Sequence, residues 1–386
     1  MEKLSDTLYS WASILDDETR AQAERTSRLP ILDGHVALMP DAHLGKGATI
    51  GTVIPTRNAV IPSAVGVDIG CGMAARPLEL HRDELTPKHL SRWVAGMRDA
   101  VPAGLGRWHA EATEASRSWF DAHPPPPTLD KVRRAMAQLG TLGSGNHFVE
   151  LARDENDRVW ILLHSGSRGG GNKLATQHTR LAKEVAKRKG LALEDYELSW
   201  FEGDTKEFDH YLRDLRWAQL YALENRRLML GATHDLLAQV LEREVQSGRD
   251  VNCHHNYTEL EEHQGRPVWI TRKGAIRAGV DDYGLIPGAM GQTSFVVRGL
   301  GNPDAYESCA HGAGRVMSRR RARSTLSVED FDPVMGDASW QRDFAEQLLD
   351  EHPSAYKPID VVMRDQADLV QVEHELHALA NYKGTS

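Results

Sequence analysis

The chain of 386 residues contains no run near the roughly 18 consecutive apolar residues that a membrane-spanning helix needs. Its opening stretch, MEKLSDTLYSWASILDDETR, is acidic and lacks the apolar centre of a secretory signal. Cysteine is scarce: Cys71, Cys253 and Cys309 are too few for a disulfide framework and read as thiols. Together these absences predict a cytoplasmic protein with no membrane partner. No internal repeat and no low-complexity linker marks a domain border. A net charge of −9 argues against a surface that is basic throughout. It still permits a local basic groove, because the distribution of charge, more than its sum, steers a polyanion.

What is present is the alternation of an α/β protein. Length alone suggests about two domains. The charged, amphipathic segment from Asp6 to Thr26 predicts a helix. HVALMPDAHLGKGATIGTVIP and AVGVDIGCGMAARPLEL alternate short apolar runs with glycine, which predicts strands joined by tight turns. Thr86 to Leu142 reads as helical, interrupted by the stiff HPPPP from His123 to Pro127. The buried run Val159 to Leu163 leads through a glycine-rich turn into a helix with apolar positions three and four apart. Asp209 to Val245 predicts one or two long helices, PVWITRKGAI a strand, and the C-terminal stretch a helix ending near Ala380.

Five short stretches combine ligand-type side chains with glycine: VGVDIGCGM (Asp68, Cys71), GTLGSGNHFVE (Asn146, His147, Glu150), LLHSGSRGGGN (His164), NCHHNYTELEEH (Cys253, His254, His255, Asn256, His263) and CAHGAGR (His311). Each alone is more often a structural turn or a satisfied histidine than a site. In combination they cluster imidazoles at strand ends, where α/β folds build their sites. Imidazole, carboxylate and thiolate together suit a first-row ion such as Mn or Zn better than Mg, and a thiolate can bridge two ions. GSRGGGN ahead of a helix offers backbone N–H groups to a phosphate, although it does not match the P-loop pattern. Around His311, small neighbours admit something large, and Arg315, Arg319, Arg320, Arg321 and Arg323 imply that it is anionic. The residues alone point to a metal-dependent enzyme acting on a phosphorylated substrate.

MPDAHLGKGATIG, VGVDIGCGM, GTLGSGNHFVE, LLHSGSRGGGN, NCHHNY, TRKGA, IPGAMG, SFVVRGLGN, CAHGAGRVMSR, AYKPID and the terminal YKG resemble, in order, the RtcB family of GTP-dependent RNA-splicing ligases. The match runs from about Met39 to Gly384; residues 1–38 form an N-terminal segment expected to be helical. The resemblance implies one compact α/β domain over residues 1–386, with mixed sheets, glycine-rich loops and flanking helices around a central di-metal cleft. It implies joining of RNA ending in a 3′-phosphate or 2′,3′-cyclic phosphate to RNA with a 5′-hydroxyl, in tRNA splicing or RNA repair. GTP is the implied co-substrate, two Mn(II) ions the cofactors and an archease-type activator a further partner. By motif position His311 resembles the histidine that carries GMP, and Asp41 the carboxylate that orients it.

For the metals, the resemblance implies Cys71, His147 and His164 around one ion and Asp68, Cys71 and His255 around the other, with Cys71 shared. The nucleotide pocket it implies comprises Asn146, His147, Phe148, Val149, Glu150, His255, Asn256, Pro287, Gly288, Ala289, Met290, Ser294, His311, Gly312, Ala313, Gly314, Tyr356 and Lys383. Arg315 and Arg319 are the expected RNA contacts. The family pattern usually has serine where this chain has Ala289, so one nucleotide hydrogen bond is expected to be missing. Two rival readings stand beside the ligase: a nucleotidyltransferase that caps 3′-phosphate ends without joining them, and a non-catalytic RNA-binding member. The second should have lost the nucleophile or a metal ligand, and this chain keeps both.

Overall fold

Where a strand is covered on both faces, apolar and polar residues need not alternate, and burial becomes nearly continuous. In the computed structural model, which describes residues 1–384, this holds for Val36–His43, Ile50–Thr56, Phe148–Arg153 and Arg158–Ser165. These strands belong to two sheets. The larger has seven strands, in the order Val251–His254, Gly72–His81, Arg158–Ser165, Phe148–Arg153, Val370–Lys383, Ser294–Gly299 and Tyr283–Ile286, each antiparallel to its neighbours. The six-stranded sheet is mixed, because Leu8–Ser10 runs parallel to Val36–His43.

One face of the larger sheet packs against helices Pro87–Ala100 and Lys206–Leu241, through Trp93, Met97, Met229 and Leu237 on Val149, Ile161 and Leu163. A second cluster joins Met39, Val53 and Ile270 of the six-stranded sheet to Phe295, Val297 and Val370 of the larger one. Both sheets therefore share a core, and the chain forms a single α/β domain with flanking helices. Among the described residues, no helix is long and apolar enough to cross a membrane.

The N-terminal expectation fails in part. Glu2–Ser5 and Leu8–Ser10 are strands, and the helix spans only Asp17–Thr26. Pairing of Leu8 with Val36 buries Leu8 completely, and Asp16 starts the helix by accepting from the Thr19 N–H. Thr86 to Leu142 divides into three helices, Pro87–Ala100, Glu114–Ala122 and Val132–Gln138, with the proline run in the last loop. Lys206–Leu241 is one helix of 36 residues.

The C-terminal expectation holds only at its start. A short helix, Ile359–Asp365, precedes a 14-residue strand, Val370–Lys383. VQVEHELHAL is rich in helix formers, yet Val370, Val372 and Leu376 also fit a period of two. Backbone pairing on both sides decides between the two patterns, with a bulge between Ala378 and Ala380.

Candidate di-metal and nucleotide site

Strand register brings together residues far apart in sequence. Gly72 pairs with Ser165 and with His254, and His164 pairs with Met73 and Phe148. Cys71, His147, His164 and His255 thus meet at one end of the seven-stranded sheet. Cys71 Sγ lies 3.4 Å from His147 Nε2 and 3.3 Å from His164 Nε2, and His164 Nε2 lies 3.0 Å from His255 Nε2. Asp68 Oδ2 is 3.1 Å from His147 Nε2.

The outer ring nitrogens account for this crowding. Nδ1 of His147 donates to Leu142 O, that of His164 to Asn146 O, and that of His255 to Asn256 Oδ1. With the proton committed to Nδ1, each neutral ring turns an Nε2 lone pair toward the common centre, as in histidine–metal sites. Burial and the neighbouring imidazoles hold His164 well below the usual histidine range; burial and His311 do the same for His255. Burial, followed by Asp68, pushes the Cys71 thiol up, and a cation between these donors reverses that preference. Burial opposes ionisation of Asp68, but its contacts with His147 and Cys71 outweigh burial and keep its carboxyl below the usual range. Three converging lone pairs, a thiol and a carboxylate fit a pair of divalent ions.

The donor atoms fall into Asp68, Cys71 and His147 on one side and Cys71, His164 and His255 on the other. Within these groups His147 stands beside Asp68 and His255 beside His164, and Cys71 also approaches both His147 and His164. Cys71 remains common to both.

The glycine-rich turn is also used differently. Arg168–Arg188 is helical through Gly169, Gly170 and Gly171, and the Ser167 N–H just before it donates to Asp68 Oδ1 at 3.1 Å. The helix start thus holds the Asp68 carboxylate where a phosphate was expected. A Cβ on Gly166 would come within 2.3 Å of Asp68 Oδ1, so this approach requires glycine.

His311 follows strand Ser308–Ala310 and borders a cavity of about 620 Å³ together with Asp68, Cys71, His164 and His255. Its ring lies 4.7 Å from that of His255. Asp41, fully buried, takes the His311 backbone N–H at 3.1 Å, and its Oδ2 is 2.5 Å from His311 Nδ1. That second approach is close but not aligned as a hydrogen bond, and Asp41 Oδ1 and His311 Nδ1 are buried without a hydrogen-bond partner. Gly314 has φ +74°, and a Cβ there would meet Asp41 O at 2.2 Å. Its glycine therefore serves the close packing of the Asp41 strand. At Gly312 a Cβ would meet nothing nearer than Pro287 O at 3.6 Å.

Of the expected nucleotide residues, Asn146, Phe148, Glu150, His255, Asn256, Pro287 through Met290, Ser294, His311 through Gly314, Tyr356 and Lys383 line this cavity. His147 is buried behind its wall. Val149 is not at the cavity: alternation along Phe148–Arg153 turns it into the helix-facing core. Ala289 is buried and its N–H bonds to Gln292 Oε1 at 3.0 Å. Asn381 Nδ2 donates to Glu150 Oε2 at 2.7 Å, and burial raises the Glu150 carboxyl to about 7. Arg315 and Arg319 also line the cavity and are partly engaged: Arg315 with Tyr356 OH at 2.8 Å and Met317 O, its buried Nη2 without a partner, and Arg319 Nη1 with Asp350 and Glu351.

Several residues escape a reading of the sequence. Glu351 is a buried hub 2.7 Å from Lys383 Nζ, and it accepts from Tyr356 OH as well as Arg319. Lys357 donates from Nζ to Ile14 O, Pro40 O and Ala42 O, and from its backbone to Gly314 O, tying the Asp41 strand to the His311 loop. On helix Lys206–Leu241, Arg226 donates to Gly70 O, Ser165 O and Asn252 Oδ1 and contacts His254 Nδ1. No local signal marks Glu351 or Arg226, which lie in ordinary charged stretches, whereas Lys357 lies in AYKPID, a matched stretch read only for Tyr356.

Comparison with known proteins agrees with this geometry. A family model described as tRNA-splicing ligase RtcB matches residues 22–123 and 109–384. The RNA-splicing ligase RtcB of Escherichia coli (strain K12) is 41% identical over 390 residues, covering 96% of this chain and 95% of the relative. The tRNA-splicing ligase RtcB of Nanoarchaeum equitans is 30% identical, covering 94% and 88%. The RNA-splicing ligase RtcB of Mycobacterium tuberculosis is 31% identical, covering 90% and 96%.

Proposed function

This chain belongs to the RtcB family, and from that premise we propose that it is a metal-dependent RNA ligase that works through guanylylation of His311. The observation that carries the reading is the placing of His311 on the wall of the cavity that Asp68, Cys71, His164 and His255 of the cage also line. A neutral imidazole is a competent nucleophile toward phosphorus. Asp41 beside Nδ1 leaves Nε2 to attack the α-phosphorus of GTP. A bond forms between Nε2 and phosphorus, the bond to the bridging oxygen breaks, and pyrophosphate leaves. Asp41 stabilises the positive charge that the ring gains.

The Asp68–Cys71–His147 and Cys71–His164–His255 sets would each hold one divalent ion, for which we take Mn(II). Such ions, when bound, supply charge neutralisation to the triphosphate. Glu150, Asn381 and Lys383 offer one carboxylate, one amide and one ammonium to the base. Tyr356, Pro287 to Met290 and Ser294 enclose the remainder of the nucleotide. An oxygen of an RNA 3′-phosphate then takes the guanylate from His311, and the nitrogen–phosphorus bond breaks. Finally the 5′-hydroxyl of the second RNA attacks the 3′-phosphorus, loses its proton and expels GMP. An archease-type activator belongs to this reading as an accessory partner.

Mass spectrometry of the protein after incubation with GTP and Mn(II) tests it. The expected result is one added GMP, absent in His311→Ala. A 3′-phosphate RNA should then be joined to a 5′-hydroxyl RNA; accumulation of a capped 3′ end in the presence of both strands would replace ligation by end-capping.

A further inference from the structure

The cavity has a second wall, on the side of helix Arg168–Arg188. Thr176, Thr179, Arg180 and Lys183 face it from positions three and four apart, and Lys46 joins them from the loop after Val36–His43. Glu197 is the carboxylate among them. Its Oε1 lies 2.5 Å from Lys183 Nζ and 3.5 Å from Lys46 Nζ, so one carboxylate faces two ammonium groups. Arg180 makes only an exposed contact with Glu184, at 3.7 Å. Lys46 and Arg180 have side chains 75% and 78% exposed, and such surface pairs contribute little to stability. Their charges are available to a ligand.

The cations on the nucleotide side are in a different state. Arg319 is held by Asp350 and Glu351, Lys383 by Glu351, and Arg315 by the Tyr356 hydroxyl. A polyanion entering the cavity therefore meets cations that already hold carboxylates or a hydroxyl on the nucleotide side, and on the side of the helix two, Lys46 and Arg180, that are exposed and loosely paired. Resting on the ligase reading, we propose that the Lys46–Arg180–Lys183 wall carries the phosphodiester backbone of an RNA strand as it runs to the metal cage. The ligand is single-stranded polynucleotide backbone, bound through its phosphates without base reading. Either of the two strands to be joined offers this chemistry.

Lys46→Ala, Arg180→Ala and the double variant test the proposal, since both side chains are exposed and neither touches the cage or the nucleotide side. GMP transfer to the protein should be unchanged in all three. The RNA concentration for half-maximal joining should rise, most in the double variant. The slope of log affinity against log salt should fall by about 0.7 for each single-strand phosphate that the protein no longer neutralises. Measuring capped-end formation with the 3′-phosphate strand alone, and then joining with the 5′-hydroxyl strand varied, assigns the wall to the strand whose saturation shifts. An unchanged salt slope with unchanged RNA saturation overturns the proposal, as does loss of GMP transfer in the variants. Failure of the wild-type protein to form the adduct would instead overturn the ligase reading, independently of these variants.

Discussion

Asn225 and Arg226 are consecutive on one helix, both fully buried, and their side chains reach groups beside three of the five cage residues. Arg226 binds the carbonyls of Gly70 and Ser165, next to Cys71 and His164, and touches His254, next to His255. Asn225 accepts from the N–H groups of Gly140 and Thr141 and donates to Thr141 O, Ser165 Oγ and Gly166 O. A buried polar group left unpaired costs roughly 1–3 kcal/mol. Arg226→Met should therefore lower Mn(II) affinity, read by calorimetric titration, together with a drop in melting temperature. Arg226→Lys reaches fewer of these acceptors and should recover only part of the affinity. Full metal affinity in Arg226→Met would show that the strands hold the ligands unaided.

Cys71 belongs to both donor sets. Its replacement by serine substitutes a harder, less readily ionised oxygen at the one position common to the two. Metal content by mass spectrometry should then fall toward none, whereas His255→Ala should spare the Asp68–Cys71–His147 set. Retention of two ions and of GMP transfer in Cys71→Ser would refute the shared position.

Glu150 predicts a pH dependence with a definite sign. Loss of water on burial is the largest influence and raises its carboxyl from 4.5 to about 7, against the pull of Asn381 and Lys383. The folded protein therefore binds an extra proton between these two values. Its contribution to stability is complete below pH of about 4.5 and is lost as pH rises through about 7. Glu150→Gln should flatten that part of the stability profile in thermal melts. A carboxylate accepts the N–H donors of a guanine better than a carboxylic acid does, so GTP saturation should improve as pH rises through about 7 in the native protein and not in the variant. An identical pH profile in Glu150→Gln would remove Glu150 from the pocket.

Lys383 looks in sequence like part of a disposable tail. It is instead the last residue of a strand, paired with Phe148, with its ammonium 5.4 Å above the Phe148 ring and 2.7 Å from Glu351. Deleting the last four residues should consequently lower the melting temperature as well as GTP use. Lys383→Met keeps the strand. It should raise the GTP concentration for half-maximal guanylylation by about tenfold, since a hydrogen bond to a charged group contributes roughly 1.5–3 kcal/mol. Unchanged saturation would assign Lys383 to Glu351 alone.

The cage is legible in the sequence because its ligands sit in short glycine-flanked stretches, and several such stretches in one chain rarely serve turns alone. The strand–turn–helix unit around His164 is legible for the same reason that its packing is strong: apolar residues at fixed spacing. Which imidazole stands nearest Asp68 is not legible, since strand register decides it. Arg226 is hidden because ENRRL on a long helix looks like a solvated charged face. Glu351 is hidden in LLDEHP, where nothing local says that the carboxylate turns inward to Lys383. The final strand reads as a helix because glutamate, leucine and alanine suit one, and only two partners, one on each side, make the extended form more stable.

Those two partners, Phe148–Arg153 and Ser294–Gly299, are both made earlier during synthesis than the strand they enclose. Until Val370–Lys383 emerges, each presents an unpaired edge, and unpaired edges invite association between chains. The nascent protein can thus bring together Cys71, His147, His164 and His255 while its sheet is still split. Completion waits on insertion of a segment into the interior of the sheet, a non-local closure that is intrinsically slow. Synthesis of the last strand is therefore the interval in which such a chain is most exposed to aggregation, and a slow final folding phase is its expected kinetic signature.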